Sequence, residues 1–204
     1  MGRVRLFARC LFAAVVLPTA GVSTATAAVI TFAGLPGPTD SSFGGITEAS
    51  FEVAAISGSW FVGLIHGSPT PSIYDGPVFS PGIAAIQLVR GGLPFTFASV
   101  DYSSNNGAGT YLIQGFLGLG TVFSQSGPLA ASVPPGFIFT TLGSASAATI
   151  DRLVIEVSPG AGVTSINLDN INVPEGAVPE PATAVLFSAA ICSLLMLSKP
   201  STHR

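Results

Sequence analysis

Residues 150–157 read Ile150-Asp151-Arg152-Leu153-Val154-Ile155-Glu156-Val157. Leu153, Ile155 and Val157 fall on one side, and Arg152, Val154 and Glu156 on the other. That is the period of two of a half-buried strand, not the 3.6 of a helix. Segments rich in β-branched and aromatic residues flank it: Val29–Phe32, Phe51–Ile56, Trp60–Ile65, Ile83–Val89, Phe95–Tyr102, Tyr111–Leu117, Thr121–Gln125, Phe137–Thr141 and Ile166–Val173. Such residues favour strands, and glycine and proline punctuate the chain between them. About ten short strands at this spacing predict an all-β domain, a two-sheet antiparallel sandwich of jelly-roll type. Three stretches read as connections: the turn-rich Gly34–Gly45, the proline-laden loop Gly67–Pro81, and the polar turn Ser103–Gly109.

The last strand, Ile166-Asn167-Leu168-Asp169-Asn170-Ile171-Asn172-Val173, breaks step. Ile166 and Leu168 share one phase, and Ile171 and Val173 take the other. A β-bulge at Asp169-Asn170 accounts for the slip. A carboxylate there needs donors or a cation, because a buried unpaired charge is costly. Arg90, Arg152, backbone amides and calcium are the partners this sequence offers Asp169, calcium because it takes hard oxygen ligands.

Both ends of the 204-residue chain differ from the middle. Arg3, Arg5 and Arg9 precede an apolar run, Cys10–Leu17, and Pro18 ends it. Ala25-Thr26-Ala27 then supplies a small-x-small cleavage site ahead of Ala28. This is the form of a secretory signal peptide over 1–27, cut by signal peptidase. At the other end Val178-Pro179-Glu180-Pro181 leads into an uncharged run, 182–198, followed by Lys199, His203 and Arg204. That run of about 17 residues makes roughly 25 Å of helix, the short end of a transmembrane span. Its basic flank belongs on the cytoplasmic side. An ordinary C-terminal anchor and a buried core helix are the other readings of this tail.

The middle, 28–177, is one domain by length and holds two arginines against nine carboxylates, a net charge of −7. Nucleic acid is excluded as a partner, since phosphates need several cations to neutralise them. The two cysteines, Cys10 and Cys192, both lie outside this segment, so a hydrophobic core must hold it together.

The order Pro-Glu-Pro, apolar run, basic end over residues 178–204 resembles the PEP-CTERM sorting signal of Gram-negative bacteria, although its basic residues are dispersed where that family has an arginine cluster. The resemblance implies an exosortase that reads Pro179-Glu180-Pro181, delivery to the cell envelope, and association with exopolysaccharide. The strands FTFASVDY, YLIQGFLGLGTVF, IDRLVIEV and INLDNINV are similar to the extracellular domain of PEP-CTERM proteins. INLDNINV also resembles the closing strand of carbohydrate-binding jelly-roll modules, which implies a structural calcium ligand at Asp169.

Catalytic motifs do not emerge. His66 is the one histidine of the middle segment, there is no Gly-x-Ser-x-Gly elbow, and no zinc set can be assembled. His66 reads as a strand end at the surface. Two features could bind a ligand. Trp60 could stack on a sugar ring, although sharing a face with Val62 and Leu64 favours the core. Asp101, Tyr102, Asn105 and Asn106, in DYSSNN, could hydrogen-bond a saccharide or help hold calcium, or form a plain hairpin connection. The leading expectation is a non-enzymatic surface or matrix protein; the alternative is a carbohydrate-binding module, and the third a glycan-active enzyme. The mature chain should begin at Ala28 or Val29. N-terminal sequencing of the exported protein checks this, and a chain that retains Met1 contradicts it.

Overall fold

The computed structural model describes residues 27–76, 82–133 and 138–174, and none of these is helical. In chain order the strands are β1 (Ala27–Ile30), β2 (Gly45–Glu48), β3 (Phe51–Ser57), β4 (Trp60–Gly63), β5 (Ser72–Asp75), β6 (Ala84–Val89) and β7 (Ser99–Asn105). Then follow β8 (Gly109–Leu117), β9 (Gly120–Leu129), β10 (Ala131–Ser132), β11 (Thr140–Gly143), β12 (Arg152–Pro159) and β13 (Ser165–Pro174). Sheet one runs β10-β7-β13-β5-β4, with β1 also on β13 and β11 also on β7. Sheet two runs β2-β3-β6-β12-β8-β9. Every pairing is antiparallel except β10 with β7. The expected all-β, two-sheet, largely antiparallel architecture is present.

The alternation of residues 150–157 places β12 in the middle of sheet two, between β6 and β8. Its Leu153, Ile155 and Val157 are buried, and so are Ile166, Leu168, Ile171 and Val173 of β13. The inner faces of both sheets contribute to one hydrophobic cluster. Phe51 and Phe95 meet there edge to face, with centroids 5.0 Å apart. Each large apolar side chain so buried stabilises the fold by about 1.5–3 kcal/mol relative to exposure, set against the entropy of ordering the chain.

β13 carries the bulge that its sequence implies. Asp169 pairs with Asp101, but the next pair is Asn172 with Ser99. Three steps on β13 thus oppose two on β7, and Asn170 takes a left-handed φ of 44°. The extra residue lets Leu168 and Ile171 both face the core. It also divides the strand's other edge: β5 pairs with Ile166–Leu168, and β1 with Ile171–Pro174.

Three connections differ from expectation. The proline-laden loop contains β5, because residues 72–75 lie between Pro71 and Pro77 and keep every N–H for pairing with β4 and β13. The polar turn at Ser103 is the second half of β7, which begins only at Ser99; Phe95 forms an isolated bridge to Ile150. Residues 40–43, read as turn, run along β4 instead: the Asp40 N–H donates to Val62 O, the Phe43 N–H to Trp60 O, and the Val62 N–H to Ser41 O. Residues 1–26 of the expected 1–27 signal peptide, and the tail from 178 onward, including the run 182–198, lie outside the described residues.

Candidate functional site

The outer face of sheet one is polar along three neighbouring strands. On β7 the buried Val100 and Tyr102 face the core, which turns Asp101, Ser103 and Asn105 outward. On β13 Ile166 and Leu168 face in, which turns Ser165, Asn167 and Asp169 outward. On β5, Ser72 and Tyr74 share that face, Tyr74 being directly opposite Asn167.

These side chains satisfy one another. The Ser103 Oγ–H donates to Asn105 Oδ1 at 2.7 Å. Asn105 Nδ2 donates to Ser165 Oγ at 2.9 Å and to Asn167 Oδ1 at 3.2 Å. Ser165 Oγ donates to the same Asn167 oxygen at 3.1 Å, and Asn167 Nδ2 donates to Ser72 Oγ at 3.4 Å. A buried polar network of this kind is rigid when each member is paired. Asn167 Nδ2 still keeps one N–H without a protein acceptor among the described residues.

An aromatic wall stands beside this floor. Tyr74 stacks on Phe61 at 5.5 Å and meets His66 edge-on at 6.1 Å. Its hydroxyl donates to Asp40 Oδ1 at 2.5 Å. Burial, with the Asp40 hydrogen bond and charge, pushes the phenol pKa well above its ordinary value. His66, Tyr74, Asn105, Thr164, Ser165 and Asn167 together line a groove of about 220 Å³. No carboxylate, lysine or arginine lines it, and among the described residues no hydrogen bond joins His66 to the Tyr74, Thr164 or Ser165 hydroxyl. The groove can accept hydroxyl groups and pack a ring against Tyr74; it holds no assembled nucleophile and base.

Asp169 fixes the loop above this face. Its Oδ2 accepts the Ser68 N–H at 2.8 Å and its Oδ1 the Asn170 N–H at 2.8 Å. Asn170 Nδ2 returns a bond to Ser68 O at 2.6 Å and another to Asp101 Oδ2 at 2.9 Å. Backbone amides are therefore the partners Asp169 has, whereas Arg90 reaches Ser50 and Arg152 lies over the Phe116 ring. Among the described residues no group of three His, Cys, Asp or Glu could hold a metal ion.

The residues singled out from the sequence separate here. Trp60, a candidate sugar platform, is 2% exposed in the core, and its Nε1 donates to Ser57 O. Tyr102, a candidate ligand contact, is 7% exposed and faces the same core, because DYSSNN is strand and not turn. Asn105 lies in the groove floor. Asn106 follows β7 with a φ of 65°, and its Nδ2 holds Thr164 Oγ1 at the groove margin. Asp101 sits outside the groove, its carboxylate engaged by Thr141 and Asn170. Ala27 and Ala28 open β1, while Ala25, Val178, Pro179, Glu180 and Pro181 lie outside the described residues. His66, Tyr74, Thr164, Ser165 and Asn167 were not singled out as ligand contacts. Ser165 and Asn167 were legible as the polar phase opposite Ile166 and Leu168; Tyr74 was hidden in a stretch read as loop.

No protein-family model matches the sequence, and no curated protein is significantly similar to it. Among solved structures, the chain is similar to the family 32 carbohydrate-binding module of C. perfringens NanJ in complex with galactose: 16% identity, TM-score 0.46, 65% of this chain and 98% of that one. It is similar to CBM29_1, a family 29 carbohydrate-binding module from Piromyces equi: 15% identity, TM-score 0.45, 77% and 95%. A further likeness, to the enzymatically active domain of bacteriophage CBA120 tailspike protein 4, has 13% identity and a TM-score of 0.42, and covers 62% of this chain and 19% of that one. With every score below 0.5, nothing about ligand or chemistry follows from these likenesses.

A second buried carboxyl lies on the core side. Asp75 is 0% exposed, paired in register with Trp60 and Ile166, and neither of its oxygens makes a hydrogen bond. Desolvation raises its pKa to about 6; the Ser59 backbone opposes the rise without closing a hydrogen bond. Asp169 is also raised to about 6, first by desolvation, with the Asp101 and Glu48 charges adding to it and its two amide donors opposing. Both groups bind a proton more tightly in the folded chain than at the ordinary value of 3.8. The stability they contribute is thus complete below 3.8 and lost as pH rises through about 6. The Tm should therefore be higher near pH 4.5 than near pH 7.5, and Asp75→Asn, which stays neutral, should flatten the difference. Thermal unfolding across that range checks this, and a Tm that climbs towards pH 7.5 contradicts it.

Proposed function

We propose that this chain is an exported, non-catalytic saccharide-binding module whose ligand seats in the groove between Tyr74, His66 and the Asn105–Asn167 floor. One observation carries the reading: an aromatic side chain stands beside a pre-paired layer of amides and hydroxyls, in a groove whose lining has no charged side chain. A pyranose offers the matching chemistry, an apolar ring face for Tyr74 and hydroxyls for Asn167, Ser165 and His66. The uncharged lining favours a neutral sugar over an acidic one.

Export and sorting complete the proposal. The 1–27 segment would send the chain through signal peptidase, and Pro179-Glu180-Pro181 would present it to an exosortase, which places the module at the cell envelope beside exopolysaccharide. The sequence features at both ends support this part.

The test is a panel of neutral glycans, followed by calorimetric titration of whatever binds. Tyr74→Ala and Asn167→Ala should each weaken binding by about tenfold or more, the usual cost of removing a central contact. His66→Ala, at an exposed position, should weaken it with the Tm unchanged. Absence of any glycan ligand, or full affinity in all three folded variants, contradicts the proposal.

A further inference from the structure

The ends of the two sheets are unequally protected. In sheet one, residues 40–43 cover β4, and the strands beyond β7 are short, two residues in β10 and four in β11. In sheet two, β2 has four residues and ends on Glu48. At the opposite edge lies β9, ten residues long and, among the described strands, paired only with β8. Long edge strands are ordinarily guarded by charge, because an open ladder recruits other strands. Here that guard is missing: from Tyr102 to Ile150 the chain contains no Asp, Glu, Lys, Arg or His.

Two local features bound the open part of this edge. The register passes from Gly115↔Phe123 to Phe116↔Thr121, which makes Val122 a bulge, and Pro128 has no N–H to offer. The segment Phe123–Gly127 between them is regular. Gln125 anchors it from the inner side, donating from Nε2 to Gly143 O at 2.9 Å and accepting the Ala145 N–H at Oε1 at 2.7 Å. Ser124 and Ser126 are exposed.

We propose that β9 is a strand-addition surface for a second copy of this chain, joined antiparallel about a two-fold axis at Gln125. That register sets Ser124 opposite Ser126 of the second copy and brings the exposed Val122 of each copy towards Pro128 of the other. The bulge and the proline end the ladder at both sides, so they select one register. An identical strand suits this edge because neither side carries a charge, and like charges facing across a ladder would oppose pairing. Each chain has one such long open edge among its described strands, so the pairing closes at a dimer and does not propagate. A ladder this short buries less than the roughly 1,000 Å² of a stable interface, which makes the dimer weak and concentration-dependent.

The test uses the full-length chain in mild detergent, with Cys10→Ala and Cys192→Ala as background. Ser124→Cys and Ser126→Cys are made separately and oxidised alone or mixed. Directly opposed Cβ atoms lie about 5 Å apart and diagonal ones farther, so the mixture should give several-fold more disulfide dimer than either variant alone. In sedimentation velocity up to roughly millimolar concentration the parent chain should shift towards dimer, and Ser124→Lys/Ser126→Lys should stay monomeric with an unchanged Tm. Equal cross-linking in the single and mixed samples overturns the register. A parent chain that stays monomeric throughout, or a lysine variant that still dimerises, overturns the surface.

Discussion

The carboxylate of Asp169 accepts two backbone amides at the one place where β13 falls out of step. Leaving so buried a charge unpaired would cost several kcal/mol, so its donors are a structural requirement. The Asn170 donor stabilises the bulge itself. The Ser68 donor ties a distant loop onto the sheet, and that loop begins just beyond His66. Because the bulge keeps Leu168 and Ile171 both buried, one strand can serve two neighbours along a single edge, β5 above the break and β1 below it. The groove follows from this arrangement: β5 brings Tyr74, β13 brings Ser165 and Asn167, and His66 stands where the chain leaves β4 for the clamped loop.

Strand periodicity carried much of this into the sequence. The alternation of Leu153, Ile155 and Val157 placed β12, and the phase slip in INLDNINV placed the bulge, because both are local consequences of burying one side of a strand. The places where reading along the chain failed share a physical reason. Ser103, Ser104 and Asn105 look like a turn because their residue types favour turns. They are strand because residues far away in sequence, 165–167 of β13, pair with them in register, and Ser165 and Asn167 also accept the Asn105 amide. Tyr74 sits among prolines that forbid pairing on either side of a four-residue gap, and no local signal marks that gap as a strand. Trp60 was legible as core from Val62 and Leu64 on its face; the structure buries Trp60 and Val62 and leaves Leu64, beyond the end of β4, exposed.

The groove and the open edge lie on different sheets and draw on opposite sorts of chemistry. The groove depends on polar side chains that are already paired, so a ligand need not organise them on arrival. The β9 edge depends on backbone groups in a stretch with no ionisable guard. Two weakly associated modules would present two grooves, and linked sites raise avidity towards a repeating polymer without any new contact in either one.

The central claim is that the polar outer face of sheet one is the ligand site. An amide-resolved NMR titration with neutral oligosaccharides tests it most directly. The account predicts saturable shifts centred on His66, Tyr74, Asn105, Ser165 and Asn167, with the inner core unmoved. Shifts confined to the outer face of sheet two, around Gln87, Gln114 and Arg152, would contradict it.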